Sequence, residues 1–385
     1  MQYSSPMPRL TETKDKTERP MVDIPFFALV MLLLTIGVTM VLSSSFARAY
    51  YDPGGLTGGD PTYYFIRQLI FAALGTAAML IASRLPTGLY KRFSIPLLIA
   101  ACVLLLLVPI VGVKSNGARR WIGIGGLTLQ PSEIAKLGVI MAFSVMICRN
   151  AGRMKSFRYG ILPFAAILLV IVGLLVLEPH FSASIIIVAV GAVMLFLGGA
   201  RLIWFVGAGV LGVGGIIVLL TMFPYASTRI TTWLDPFSST SDEGYQIVQS
   251  LYTIGSGGLT GLGLGQGRQK YLYLPEEHND FIFSVVCEEL GFIGAVLILI
   301  LFALLIIRGY WIAINARDRY SFLVCAGITT LLAIQVILNV AVVTNLVPCT
   351  GISLPFFSYG GTALLIQMAE MGIILGASRE IPTKG

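Results

Sequence analysis

Ten times along this 385-residue chain the sequence runs apolar for about twenty residues. The runs lie near 24–46, 63–83, 93–113, 131–148, 160–178, 181–199, 202–222, 281–307, 320–344 and 356–377. At about 1.5 Å of rise per residue, a helix of that length crosses a hydrocarbon core of about 30 Å. Lipid offers a backbone amide no partner, so a spanning segment must be a helix or part of a closed barrel. Barrel strands alternate polar and apolar residues, and these runs are continuous. Hydrophobic residues make up 56% of the chain and charged residues 12%, too little charge to cover a soluble domain of this size. The expected fold is an all-α polytopic membrane protein with ten transmembrane helices in a single domain over 24–378.

An even number of spans puts both termini on one side. Most of the 26 basic residues collect in the segments that share a side with the N-terminus: Arg9 to Arg19, Arg84 to Arg92, Arg149 to Arg158, Arg201, Arg308 to Arg319, and Arg379 with Lys384. The positive-inside rule makes that side cytoplasmic. Residues 1–23 are polar and mixed in charge, unlike a signal peptide, and read as a disordered cytoplasmic tail before an uncleaved first helix; 379–385 form a second tail. The outside segments are longer, the largest running from Phe223 to Asp280 between helices seven and eight. No fixed-period repeat or inverted duplication is visible, which disfavours the common transporter architectures.

The five cysteines share no short spacing, and with two histidines in the chain they suggest small packing residues without a disulfide framework or a His-based metal cluster. The glycine-rich SGGLTGLGLGQGRQK, Ser256 to Lys270, lacks the GKS or GKT of a nucleotide-binding loop. It reads as tight turns or a gate, with Arg268 and Lys270 available to an anion.

Three outside clusters carry candidate chemistry. In YLPEEHNDFIF, Glu276, Glu277, His278 and Asp280 crowd the entry to the eighth helix. Asp280 reads either as a helix cap or as a general base whose pKa burial and neighbouring acids raise. In NGARRW, Arg119 and Arg120 stand outside against the charge bias, suited to bidentate phosphate binding or to lipid headgroups, with Trp121 beside them for an interface or a sugar. In QPSEIAK, Glu133 and Lys136 are spaced i, i+3 on one helix face, as a self-satisfied ion pair or as the lining of a substrate cavity. Glu178, Glu288, Glu289 and Glu370 are deeper acids expected to face the bundle interior.

Together NGARRWIGIGGLTLQPSEIAK, the stretch from DEGYQIVQSLY to NDFIFSVVCEELGFIG, and PCTGISLPFFSYGGTALL resemble the SEDS family of shape, elongation, division and sporulation proteins. The likeness spans Asp23 to Ser378 and is nearer to the division (FtsW) and sporulation (SpoVE) branches than to the elongation branch (RodA). It implies a ten-helix fold and a peptidoglycan glycosyltransferase that polymerises lipid II in the bacterial cytoplasmic membrane. The implied partners are a class B penicillin-binding protein, other division proteins and the bilayer; no nucleic-acid partner is expected. The family's essential carboxylate falls on Asp280, with Asn279 where Thr is usual. Substrate contacts are expected at Arg48, Arg119, Arg120, Trp121, Glu133, Lys136, Arg268, Lys270 and His278. The leaving pyrophosphate needs these cations or a divalent metal, Mg or Mn. The family's frequent P-D-x-G pattern is replaced by Pro179-His180-Phe181-Ser182, which puts any role of that aspartate in question. The rival expectations are a lipid II flippase, which wants a charged path through the midplane, and a non-catalytic scaffold.

Overall fold

The computed structural model describes residues 22–115, 118–124, 127–222, 230–238 and 242–381. All ten apolar runs are helical. The helices are α1 (Ile24–Tyr50), α2 (Tyr63–Ala82), α3 (Thr87–Val111), α4 (Pro131–Arg149), the turn α5 (Phe157–Gly160) leading into α6 (Leu162–Leu177), α7 (Phe181–Leu197), α8 (Leu202–Met222), α9 (Asp242–Ser256), α10 (Ile282–Ile314), α11 (Arg319–Val343) and α12 (Gly361–Arg379). Among the described residues eight helices are long and apolar enough to cross a membrane, α5 and α6 counting as one, and α7 is a shorter apolar helix. The expected N-terminal tail lies outside the described residues, except for Val22 and Asp23, as does the C-terminal tail beyond Ile381.

Local chemistry sets the helix ends. Asp23 caps α1, its Oδ1 accepting from the Phe26 amide at 2.9 Å, and Pro25 occupies the first turn. The same carboxylate pairs with Arg308 at 2.7 Å. That pairing holds α10 helical to Ile314, past the expected end near 307. Asp318 caps α11 through the Ser321 amide at 3.0 Å. The helix α3 begins at Thr87, ahead of the expected 93, because Lys91 and Arg92 extend it beyond the apolar run; Lys91 pairs with Asp318. The α12 helix starts late, at Gly361, because the preceding SLPFFSYG is folded into turns held by Gln367, whose Oε1 accepts from the Phe356 amide at 3.0 Å.

Helices α4 and α11 are the most deeply enclosed, and α2, α3 and α6 present Leu, Ile and Val outward, as lipid-facing helices should. Packing pairs α2 with α12, α3 with α4, and α10 with α11, while α1 bridges α2 and α10. Two features depart from the expected bundle of helices and loops. Three short strands, β1 (Val113–Ser115), β2 (Ala118–Ile124) and β3 (Leu127–Leu129), form an antiparallel sheet, so the chain is not all-α. The sheet is tied to α12 by Thr362, whose hydroxyl donates to the Thr128 carbonyl at 2.7 Å. The long segment between α8 and α10 contains α9, docked on α10 and α11 by Ser250, which lies 2.7 Å from the Ser284 hydroxyl and donates to the Val343 carbonyl.

Helix α10 is broken at Gly291 (φ 68°, ψ −174°). Here the glycine-rich loop crosses it: a Cβ on Gly261 would stand 2.2 Å from the Glu289 carbonyl, and one on Gly291 would stand 2.2 Å from the Gly261 amide nitrogen. No side chain fits at either position.

Candidate active site

The segment from Tyr271 to Phe281 makes successive turns before α10, with Glu276 in the left-handed region at φ 55°. Several contacts fix this loop. Arg48, in the last turn of α1, grips the buried Glu277 with both arms of its guanidinium, Nε to Oε1 at 2.8 Å and Nη2 to Oε2 at 3.0 Å. Burial works to raise the Glu277 pKa, but bonding to His278 and Arg48 outweighs it and the net displacement is downward. The His278 ring lies against Tyr64 and Tyr359, with centroids at 4.7 and 5.9 Å. The His278 carbonyl accepts from the Tyr359 amide at 2.9 Å, and the Asn279 carbonyl from the Ser358 hydroxyl at 2.8 Å. Asn279 donates to Glu276 at 2.6 Å, so this small polar residue braces the loop from within.

The loop delivers Asp280 to the wall of a cavity of about 480 Å³ at the end of the bundle where α1 ends and α10 begins. Burial, aided by the Glu276 carboxylate, pushes the Asp280 pKa from 3.8 to about 6, against the opposing pull of Arg120 and His278. Its main chain is held by Asn339 of α11, which donates to the Asp280 carbonyl at 2.8 Å. Gly351 (φ +63°) faces the carboxylate: a Cβ there would come within 3.1 Å of Oδ2.

Two further elements bring cations to the cavity. Successive strand residues point to opposite faces, and the two adjacent arginines part accordingly. Arg119 is exposed and donates to the Pro109 carbonyl at the end of α3, at 2.9 Å. Arg120 lines the cavity and donates to the Pro179 carbonyl at 2.6 Å; Trp121 also lines it. On α4, Lys136 and Glu133 pair at 2.6 Å and both face the cavity. The pair is thus satisfied within itself and lines the cavity at the same time. Arg67 of α2, with its guanidinium 4.5 Å from the Tyr63 ring centre, adds a cation that the sequence reading missed. Its signal was an arginine three residues after Tyr64 at the outer end of an apolar run. Tyr64, Tyr359 and Gln335 were missed as well, since aromatic and amide residues in apolar runs carry no distinctive spacing. His180 and Glu370 line the cavity too. Burial, with Arg120 and Lys136 adding to it, pushes the His180 pKa down to about 3, so its imidazole is neutral.

Arg268 and Lys270 are not brought to this cavity. Arg268 is exposed, and Lys270 is buried elsewhere, 2.7 Å from Glu289 and 2.9 Å from Ser43 of α1. The glycine-rich loop does cradle an anion, but that anion is the protein's own. The amides of Gly265 and Gly267 donate to Glu289, and those of Arg268 and Gln269 to Glu288. The two deep acids thus anchor the loop that leads to Asp280. Among the described residues no group of three or more His, Cys, Asp or Glu side chains converges to hold a metal ion.

The assembled site has a carboxyl group of raised pKa just ahead of α10, with Arg48, Arg67, Arg120 and Lys136 around the same space. A family model described as "Cell cycle protein" and covering FtsW, RodA and SpoVE matches residues 24–382. Stage V sporulation protein E of Bacillus subtilis is 41% identical over 367 residues, spanning 94% of this chain and 98% of that protein. A probable peptidoglycan glycosyltransferase FtsW of Trichlorobacter lovleyi is 40% identical over 358 residues, spanning 92% and 93%. Among solved structures, a chain of a peptidoglycan synthase complex coordinating polymerization and crosslinking superposes with TM-score 0.77 at 29% identity, covering 94% of this chain and 99% of that one. The rod shape determining protein RodA of Thermus thermophilus superposes with TM-score 0.67 at 27% identity, covering 94% and 98%. A match of this extent in sequence and in fold places the chain in the FtsW/RodA/SpoVE family.

Proposed function

We propose that this chain is a peptidoglycan glycosyltransferase that polymerises lipid II into β-1,4 glycan strands at the outer face of the cytoplasmic membrane. The observation that carries the reading is Asp280, its pKa raised to about 6, on the wall of a cation-lined cavity. The names of the relatives support it. In this reading the ten apolar helices all span, both termini are cytoplasmic, and the cavity opens outward at the septal membrane.

Asp280, ionised, takes the proton from the 4-hydroxyl of the acceptor GlcNAc. The freed electron pair forms a bond to C1 of the donor MurNAc. The bond from C1 to the pyrophosphate oxygen breaks on the opposite face, so one displacement inverts the centre and leaves undecaprenyl pyrophosphate. Negative charge grows on that leaving group, where Arg120, Lys136 and Arg67 are already fixed and need no rearrangement. The pyrophosphate bond of the donor supplies the driving force, so no nucleotide is required. The likeness to a chain of a synthase complex supports a class B penicillin-binding protein as partner, one that crosslinks the strands made here.

The test is polymerisation of purified lipid II by the protein reconstituted with its cognate transpeptidase. Long glycan strands sensitive to a muramidase are expected. A reconstituted complex that makes no glycan, yet moves lipid II from the inner to the outer leaflet of vesicles, refutes the reading and supports a flippase.

A further inference from the structure

Gln335 of α11 is an uncommitted amide in the cavity wall. It is 8% exposed and lines the cavity. Its neighbours along the helix, Leu332, Ile334, Val336 and Leu338, are apolar. Among the described residues its carboxamide has no hydrogen-bond partner. The other polar side chains in the middle of α11 do have partners. Thr329 and Thr330 donate back to the Cys325 and Ala326 carbonyls, each at 2.7 Å. Asn339 donates to the Asp280 carbonyl at 2.8 Å and to the Ile352 carbonyl at 2.6 Å. A buried amide without a partner costs free energy. Polar groups kept inside a membrane helix face a cavity and mark the path of a ligand.

Asn339 fixes where Gln335 stands. The two are four residues apart, so they share a face of α11, one turn and about 6 Å apart along its axis. The helix ends at Val343, which makes Gln335 the deeper of the two. The main chain of Asp280 is held at the level of Asn339, so Gln335 faces the cavity one turn deeper than Asp280. Lys136 lines the same cavity from α4, already paired with Glu133 at 2.6 Å. In the reaction proposed above, the acceptor hydroxyl meets Asp280. The donor runs from its sugar through the pyrophosphate to an isoprenoid chain that stays in hydrocarbon. A group one turn deeper than Asp280 therefore meets the pyrophosphate, and a carboxamide brings two N–H donors to it without adding charge beside Lys136.

Resting on the glycosyltransferase reading, we propose that Gln335 is a substrate-binding residue whose carboxamide donates to the pyrophosphate of the lipid-linked donor, one turn below Asp280 on the cavity wall. The amide left without a partner by the fold gains one when substrate enters, and the bond strengthens as charge grows on the leaving group.

Gln335→Met keeps the length of the side chain and removes its donors. In polymerisation of lipid II by the reconstituted complex it is expected to lower kcat/KM about tenfold. In thermal unfolding of the detergent-solubilised protein without ligand, its Tm should equal or exceed that of the wild type, because an unpartnered amide is lost. A residue that only packs the bundle would give the opposite, a lower Tm. With undecaprenyl pyrophosphate as the probe, the rise of Tm with probe concentration should show binding to the wild type and binding about tenfold weaker to Gln335→Met. Undecaprenol, which lacks the pyrophosphate, should not distinguish the two. A wild-type chain that makes no glycan defeats the glycosyltransferase reading alone, and the binding arm then decides the contact. A Gln335→Met chain that fails to accumulate or melts below the wild type, an unchanged rate in an active complex, or an affinity for undecaprenyl pyrophosphate that is absent from the wild type or unchanged in the variant overturns the proposal.

Discussion

The raised pKa of Asp280 has a kinetic consequence that can be worked out. As a general base it acts only when ionised, and kcat/KM reports the ionisation of the free protein. With its pKa pushed from 3.8 to about 6 by burial and by Glu276, ionised and protonated forms stand near ten to one at pH 7 and one to ten at pH 5, by the definition of a pKa. The rate at pH 5 should be roughly a tenth of the plateau, falling about tenfold for each further unit. A carboxyl group at its ordinary value would still be almost fully active there. The informative perturbation is Glu276→Gln, which removes the like charge but keeps an acceptor for Asn279, now 2.6 Å away. It should lower the Asp280 pKa and move the acid limb toward lower pH by about one unit. Arg120→Gln should move the limb the other way, since Arg120 now holds the Asp280 pKa down, whatever it does to the height of the plateau. Initial rates of lipid II polymerisation from pH 4.5 to 8, in buffers of constant ionic strength, give the profile. An acid limb near pH 4, or one that Glu276→Gln leaves in place, would refute the assignment of the limb to a desolvated Asp280 beside Glu276.

Four other substitutions separate catalysis from support. Arg48→Ala leaves the buried Glu277 carboxylate without its bidentate partner, and should cost about 2–4 kcal/mol by thermal or denaturant melts, with polymerisation lost because the Asp280 loop loses its tie to α1. Lys270→Met strands Glu289 in the interior and should destabilise by about 3–5 kcal/mol, whereas Arg268→Ala, on an exposed residue, should leave both Tm and rate near wild type; a fall in rate without a fall in Tm for Lys270→Met would restore it to the substrate site. Gly351→Ala places a methyl within 3.1 Å of Asp280 Oδ2 at a backbone φ of +63°; strain of about 1–2 kcal/mol is expected, together with a larger loss of rate than of stability in the same preparation.

The helices were legible because lipid imposes one solution on a continuous apolar run, and every such run here is helical. Their ends were less so. The extension of α10 to Ile314 depends on Arg308 meeting Asp23, a contact between residues far apart in sequence. The sheet over 113–129 left no clear trace, since its strands are short and the Thr362–Thr128 bond that ties it to the bundle is equally remote. Around the cavity, Arg120, Glu133 and Lys136 could be read as candidates from local crowding of charge in an apolar chain, whereas for Asp280 that crowding left a helix cap and a general base both open, and the resemblance to the SEDS family chose between them. The same signal misplaced Lys270 and Arg268. A lysine beside a glycine-rich loop looks like an anion site, and it is one, but the anions come from the break in α10. Arg48 does line the cavity, as expected from its charge, while its guanidinium also holds Glu277. Arg67 and Tyr359 escaped notice because each lies in a run whose apolar character hides single polar residues.

The central claim is that one carboxylate starts the chemistry. Asp280→Asn preserves the size of the side chain and removes the base. Purified with the transpeptidase proposed as its partner and given lipid II, the variant should elute and melt like the wild type and yield no glycan strands. Polymerisation by that variant at a rate close to wild type would contradict the account.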